Sequence, residues 1–275
     1  MPKLGFFISY FAQTEKRSSL NRLIKKLDKL EGKIVIIENN DFHAGKAQLA
    51  EVNGIKRITR ENLGMNIGAW REGWKLFDTL DYYFFFQAES YIKKLNFASH
   101  YINIFRADPS IGLIGDSLNT KWAHSWSKLE RSQFNTEILI QPNSYEYNSN
   151  HQGSQPKKER RVTFYRKKLE EWGIKTHNQN AAHIRALNWC TTRDILNKIE
   201  FPIGHSYHEC IAAEIAVSRA VIQAGYKVSQ SHQIPFKYIG HSEWQGNSKI
   251  QPYTTKPPSF IQKLIKIAGK QKRSI

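Results

Sequence analysis

A chain of 275 residues, 40% hydrophobic and 12% aromatic, has enough apolar surface for one large core or two modest ones, which excludes a disordered chain. A net charge of +17 points to anionic partners, whether nucleic acid, a membrane face or a phosphate-bearing small molecule. No apolar run approaches the ~18 residues that span a bilayer, and Cys190 and Cys210 are too few for a disulfide framework, so a reduced, cytoplasmic setting is expected.

The first apolar stretch, Leu4–Phe11, reads as a strand and not as a signal peptide, because no small-residue cleavage site accompanies it. Leu20, Leu23, Ile24, Leu27 and Leu30 recur at helical spacing with Arg22, Lys25, Lys26 and Lys29 opposite, and Glu31-Gly32 stops that helix. Residues 33–37 (KIVII) form a second buried strand. Strand, helix and strand with short links make a right-handed βαβ unit and imply a parallel sheet. The second strand runs out into Glu38, Asn39, Asn40 and Asp41, which is either turn chemistry or a ligand edge. Residues 55–59 are a third strand.

Residues 61–90 (ENLGMNIGAWREGWKLFDTLDYYFFFQAES) carry the densest signal. Asn62, Gly64, Asn66 and Gly68 make a loop in which glycine lets backbone approach a ligand closely. Ile67, Trp70, Trp74 and Phe77 then mark one face of a helix. Residues 81–86 are a short aromatic run, buried on both faces, that delivers the polar tip Gln87-Ala88-Glu89-Ser90. Ligands of open α/β sheets bind at such carboxyl ends. Arg60 and Arg71 flank the loop as candidate cations for a phosphate group or as solvated surface charges.

A helix over 97–105 and a strand over Ile111–Gly115 (IGLIG) follow, separated by Asp108-Pro109. Residues 117–180 lack clear periodicity. Trp122, His124 and Trp126 cluster there, and 141–155 reads as a loop or lid. Residues 157–168 interleave Phe164 and Tyr165 with seven basic residues, a pattern that suits a nucleic-acid face or a solvated helix. A strand is expected over 184–190 and a short helix over 191–199, with Thr191 and Asp194 spaced as a capping box. A longer helix over 206–224 stops at Gly225 and is apolar nearly all round. Glu214 shares a stripe with Cys210, Val217 and Val221, where an unpaired carboxylate finds a partner or shifts its pKa upward. Glu209 at the third helical position completes a capping box with Ser206. Residues 235–241 read as a last strand ending in His241, with Trp244 beyond. Residues 256–275 form a basic amphipathic helix suited to an anionic membrane surface or to docking on the protein body.

The order of loop, helix, aromatic strand and acidic tip resembles the nucleotide-sugar half of GT-A glycosyltransferases, especially the inverting family 2 of rhamnosyl-, capsule- and O-antigen-type enzymes. There an N-x-G-x-x-x-G-like loop precedes a helix, and a strand delivers a metal-binding D-x-D triplet. Gln87-Ala88-Glu89 stands at that triplet and keeps only the last acid. The resemblance covers 3–116 and 184–241, including the Arg219, Gly225, Tyr226 and Lys227 ending of the long helix. It implies an α/β, Rossmann-like single domain over 1–255, with a mainly parallel sheet flanked by helices, a donor half over 1–116, an acceptor half over 117–255 and a basic tail over 256–275. It assigns donor contacts to Tyr10, Glu38, Asn39, Asn62, Gly64, Asn66, Gly68, Arg71 and Gln87. Mn2+ or Mg2+ falls to Glu89 and His241, and base catalysis to Glu214 ahead of Glu209. The implied activity is inverting transfer of a hexosyl-type sugar from a nucleotide-diphosphate sugar to a glycan or lipid-linked acceptor for surface polysaccharide, at the inner face of the plasma membrane. A nucleic-acid-binding protein and an inactive GT-A-like glycan or membrane scaffold are the rivals, nucleic acid being the weaker.

Overall fold

The computed structural model describes residues 1–40, 47–140, 157–177 and 179–244. Asp41, the expected loop over 141–155 and the basic segment 256–275 lie outside these residues. The chain first forms β1 (Leu4–Phe11), α1 (Arg17–Leu27), β2 (Lys33–Asn40), β3 (Gln48–Val52), β4 (Ile55–Glu61), α2 (Met65–Leu76), β5 (Tyr82–Gln87), β6 (Ser90–Ile92), α3 (Phe97–Ala107) and β7 (Ile111–Gly115). Then come α4 (Trp126–Glu130), β8 (Glu137–Ile140), β9 (Lys157–Arg160), α5 (Arg161–Glu171), β10 (Asn188–Thr192), α6 (Arg193–Leu196), α7 (Tyr207–Gln223), β11 (Lys227–Gln230) and β12 (Ile239–His241).

An eight-stranded sheet runs β11-β7-β10-β5-β1-β2-β4-β3. β1 is parallel to both β2 and β5, while β10 and β3 run against their neighbours. The chain winds outward from β1 through β2 to β4, then returns to place β5 on the other side of β1. In doubly wound sheets such a reversal marks the ligand crevice, which here falls at the carboxyl ends of β1 and β5. β1 and β5 alternate their side chains between two cores. Phe7, Tyr83 and Phe85 join α2 and α7 on one face, and Phe6, Ile8, Phe84 and Phe86 join α1 and α3 on the other. Trp70 of α2 lies 5.5 Å from the ring of Phe85 and 5.0 Å from that of Trp189, and its indole N–H donates to the Phe86 carbonyl at 3.2 Å.

The structure departs from the sequence pattern where burial is one-sided. β3 is exposed along its whole length at the sheet edge, so no hydrophobic pattern announces it. The strand expected over 184–190 begins at Asn188 and runs on through Thr192. Thr191 therefore caps no helix; its hydroxyl donates to the Gly112 carbonyl across the sheet at 2.6 Å. The basic run over 157–168 folds as β9 and the first turns of α5. Phe164 and Tyr165 are buried there in the core against α7 and present no stacking surface to a nucleic acid.

Trp70→Ala removes a fully buried ring from the centre of that core and is expected to cost about 3–5 kcal/mol, read as a lower urea midpoint with unchanged slope.

Candidate functional site

The loop before α2 packs chiefly upon itself. Gly64 sits at φ +77° and Met65 at φ +47°, and a Cβ on Gly68 would fall 1.9 Å from the Leu63 carbonyl oxygen. Arg60 donates to that same carbonyl and to the Asn39 side-chain oxygen, both at 2.7 Å, while Asn39 donates to Ser9 Oγ at 3.0 Å. Asn39 and Asn62 are buried, and Tyr10 joins the apolar core beside α1 and α3. Glu38 is paired with Arg57 at 2.9 Å. Asn66 is half-buried in the first turn of α2. Arg71 faces Glu200 at 3.6 Å in a cavity of 570 Å³ lined also by Trp172, Phe201 and Gln223. The loop thus stands at the carboxyl end of β4, whereas Arg71 points into a separate hollow.

A tighter constellation forms at the tip of β5. β6 pairs with β12, setting His241 opposite Ser90 and beside Glu89. Asp116, buried beyond β7, fixes the incoming segment by accepting from the Ser231 hydroxyl and from the backbone N–H groups of Tyr238 and Ile239. Glu89, His241 and Glu243 offer ligand atoms within 4.8 Å of one another. Glu243 lies in a short turn with no pattern in sequence and is visible only once β12 is placed. Desolvation raises the Glu89 carboxyl, the Glu243 charge adds to it, and Lys16 opposes both. Glu15, after β1, is raised to about 7, chiefly by burial, with the charges of Glu89 and Glu243 contributing. Burial lowers His241 to about 4, so its imidazole is neutral at ordinary pH.

Gln87 links this cluster to the helix carboxylate. Its amide nitrogen donates to the Ala186 carbonyl at 2.6 Å, which leaves its oxygen to accept from His241 Nε2 at 2.8 Å. The Ala186 N–H in turn donates to Glu214 Oε1 at 3.0 Å. The tip of β5, His241 and α7 are thereby joined through one residue. Burial pushes Glu214 up to about 7, against the opposing effects of the Ala186 N–H and the Arg185 charge. His183 Nε2 lies 3.8 Å from the same oxygen and is itself lowered to about 4 by burial. Glu209 is occupied otherwise: its N–H donates to Ser206 Oγ, its carboxylate accepts the His205 N–H at 2.7 Å, and Lys168 lies 3.1 Å away.

Two carboxylates and a neutral imidazole fit a hard divalent cation such as Mn2+ or Mg2+. The Gln87 bond requires the proton on Nε2, so His241 offers Nδ1 unless that bond opens; Nδ1 now accepts the Glu243 N–H at 3.4 Å. Among the described residues no helix is long and apolar enough to cross a membrane.

No protein-family profile and no curated protein matches the chain. Among solved structures, the mannosyltransferase PcManGT from Pyrobaculum calidifontis, in complex with GDP-Man and Mn2+, is similar with TM-score 0.46 and 9% identity over 85% of this chain and 55% of that one. A CMP:2-keto-3-deoxy-manno-octonic acid synthetase complexed with CTP gives TM-score 0.41 and 9% identity over 83% and 88%. The bifunctional glycosyltransferase WbbM gives 0.37 and 10% over 83% and 38%. The chain thus spans little more than half of the mannosyltransferase chain. Likenesses this weak carry no argument for function.

Glu214→Gln keeps the oxygen that accepts from Ala186 and removes the titration. A carboxyl raised from 4.5 to about 7 binds protons in the folded state that the unfolded chain has released, so wild type loses stability as pH rises through that window. The glutamine variant is expected to match wild type below pH 4.5, to gain on it as pH rises to about 7 and to hold a constant lead above that, as followed by urea unfolding at a series of pH values.

Proposed function

We propose that this chain is a GT-A-type glycosyltransferase that moves a hexosyl-type sugar from a nucleotide-diphosphate donor to a hydroxyl of a glycan or lipid-linked acceptor, with inversion. The single observation that supports it most is the hydrogen-bonded path from His241 through Gln87 and Ala186 to Glu214. It connects a cluster of metal-ligating type to a candidate base through two residues, at the end of the central strand. Glu214, held near 7, is poised to take the proton of the attacking hydroxyl near neutral pH. Glu89, His241 and Glu243 would hold the divalent cation, which when bound supplies charge neutralisation for a diphosphate. Asn62, Gly64, Asn66 and Gly68 would contribute to donor binding through the backbone of the loop at the carboxyl end of β4. Glu209 keeps a structural cap, which favours Glu214 as the base. A role in surface polysaccharide synthesis at the inner membrane face rests on the sequence alone.

One observation favours an inactive binding protein of the same fold: the Gln87 amide holds His241 Nε2. The two readings part in a thermal-shift series with UDP and GDP, with and without Mn2+, followed by transfer assays. A transferase is stabilised by a nucleotide diphosphate in a Mn2+-dependent way that Glu89→Ala abolishes. Its Glu214→Gln variant keeps donor binding and loses about 10²-fold or more in turnover. A wild-type chain that responds to neither nucleotide would remove the reading.

In wild type, turnover is expected to rise with pH through about 7, because only the ionised Glu214 accepts a proton; a flat profile across pH 6–8 excludes it as the base.

A further inference from the structure

Arg185 is a buried charged residue, next in the chain to Ala186, that the mechanism leaves without a task. It is 8% exposed, yet among the described residues no carboxylate lies within ion-pair distance of it. Burial disfavours its charge, and Glu214 opposes that effect only from beyond contact. Its hydrogen-bond partners are neutral, Ser117 Oγ at 3.1 Å and Asn119 Oδ1 at 3.3 Å. A guanidinium carries five N–H donors, so these two bonds leave donors unused. The Trp244 ring lies 4.7 Å from its guanidinium carbon, covering one face with an exposed indole. A buried cation is costly unless an anion compensates it, and here neutral oxygens and a π-face do so only in part. Its position is the second fact. The neighbouring Ala186 is the residue whose carbonyl and N–H bridge Gln87 and Glu214, and Trp244, which covers Arg185, directly follows Glu243 in the chain. The other arginines first considered for a phosphate are placed differently: Arg60 braces the Leu63 loop, and Arg71 faces Glu200 in its own cavity.

We propose that Arg185 is the oxyanion-binding residue of the site, taking a phosphate or carboxylate oxygen pair of the ligand on its planar donor fork. The inference rests on the glycosyltransferase reading for the identity of the ligand, the diphosphate of the donor, but the fork itself would equally take the carboxylate of an acidic sugar. Lysine keeps the charge and loses the paired geometry.

The test is titration calorimetry of wild type, Arg185→Lys and Arg185→Gln with Mn2+ present, using inorganic pyrophosphate, UDP, GDP, UMP and glucuronate. The expected result is about tenfold weaker binding of pyrophosphate and of the diphosphates in Arg185→Lys, more in Arg185→Gln, and unchanged binding of UMP. Weakened glucuronate with unchanged diphosphates also supports the fork and assigns its anion to an acidic sugar. Unchanged affinities for all probes, with only the pH midpoint of turnover displaced, would overturn the proposal and make Arg185 a charge balance for Glu214. Asn119→Ala guards against a lysine variant that does not fold. By removing a competing acceptor it strengthens pyrophosphate binding if the fork binds oxyanions, and leaves it unchanged or weaker if Arg185 is only structural. Wild type that binds pyrophosphate but neither nucleotide would end the donor reading while sparing the fork.

Discussion

The crevice depends on one side-chain amide. Gln87 ends the central aromatic strand, and its two ends have fixed polarity: the nitrogen must donate to the Ala186 carbonyl, so the oxygen must accept from His241. Four segments that are distant in sequence meet through that constraint: the tip of β5, the turn before β10, α7 through Glu214, and β12. The donated proton also fixes the imidazole tautomer. An acid at the same position would put a further negative charge beside Glu89 and Glu243 and could not donate to the carbonyl. The amide therefore lets the site assemble with less self-repulsion, at the cost of one anionic ligand.

The charge states in the crevice follow from the same constraint of burial. Glu15 and Glu214 are raised to about 7, while His183 and His241 are lowered to about 4. Each shift moves its group toward neutrality, as burial in a poorly solvated setting requires. Their effects on stability run in opposite directions with pH. The carboxyls favour the folded chain at low pH and lose that contribution as pH rises from 4.5 through 7. The histidines favour it above 6.5 and lose that contribution as pH falls toward 4. Near neutrality these groups stand between the two limits.

Much of this was legible in the chain. β1 and the two-sided aromatic run of β5 announced themselves because both faces are buried, leaving composition unambiguous. Glu214 could be singled out because a carboxylate on the apolar stripe of α7 needs a reason to be there. Less was legible where function depends on pairing between remote segments. Glu243 lies in a short turn after β12, and β12 itself spans only Ile239–His241, too short to carry a period. Arg185 sits in an irregular approach to β10, where no repeat indicates which side chains turn inward. The basic run of 157–168 left a nucleic-acid face and a solvated helix open: its charges dominate the composition, while the burial of Val162, Phe164 and Tyr165 on α5 favours the helix.

That contrast explains how a strongly basic chain can carry an acidic-looking site. On α1 the lysines and arginines face solvent, opposite the buried Leu20, Leu23 and Leu27. At the tip of β5 the local sign reverses, because Glu15, Glu89 and Glu243 converge, with Lys16 opposing the effect on Glu89. Such a convergence of like charges is unfavourable, and the upward shifts of Glu15 and Glu89 relieve it in part. A divalent cation would relieve it further, and a phosphate-bearing ligand would then meet the cation on one side and Arg185 on the other. The long-range positive field of the surface would draw that ligand in, and the short-range arrangement would decide how it is held.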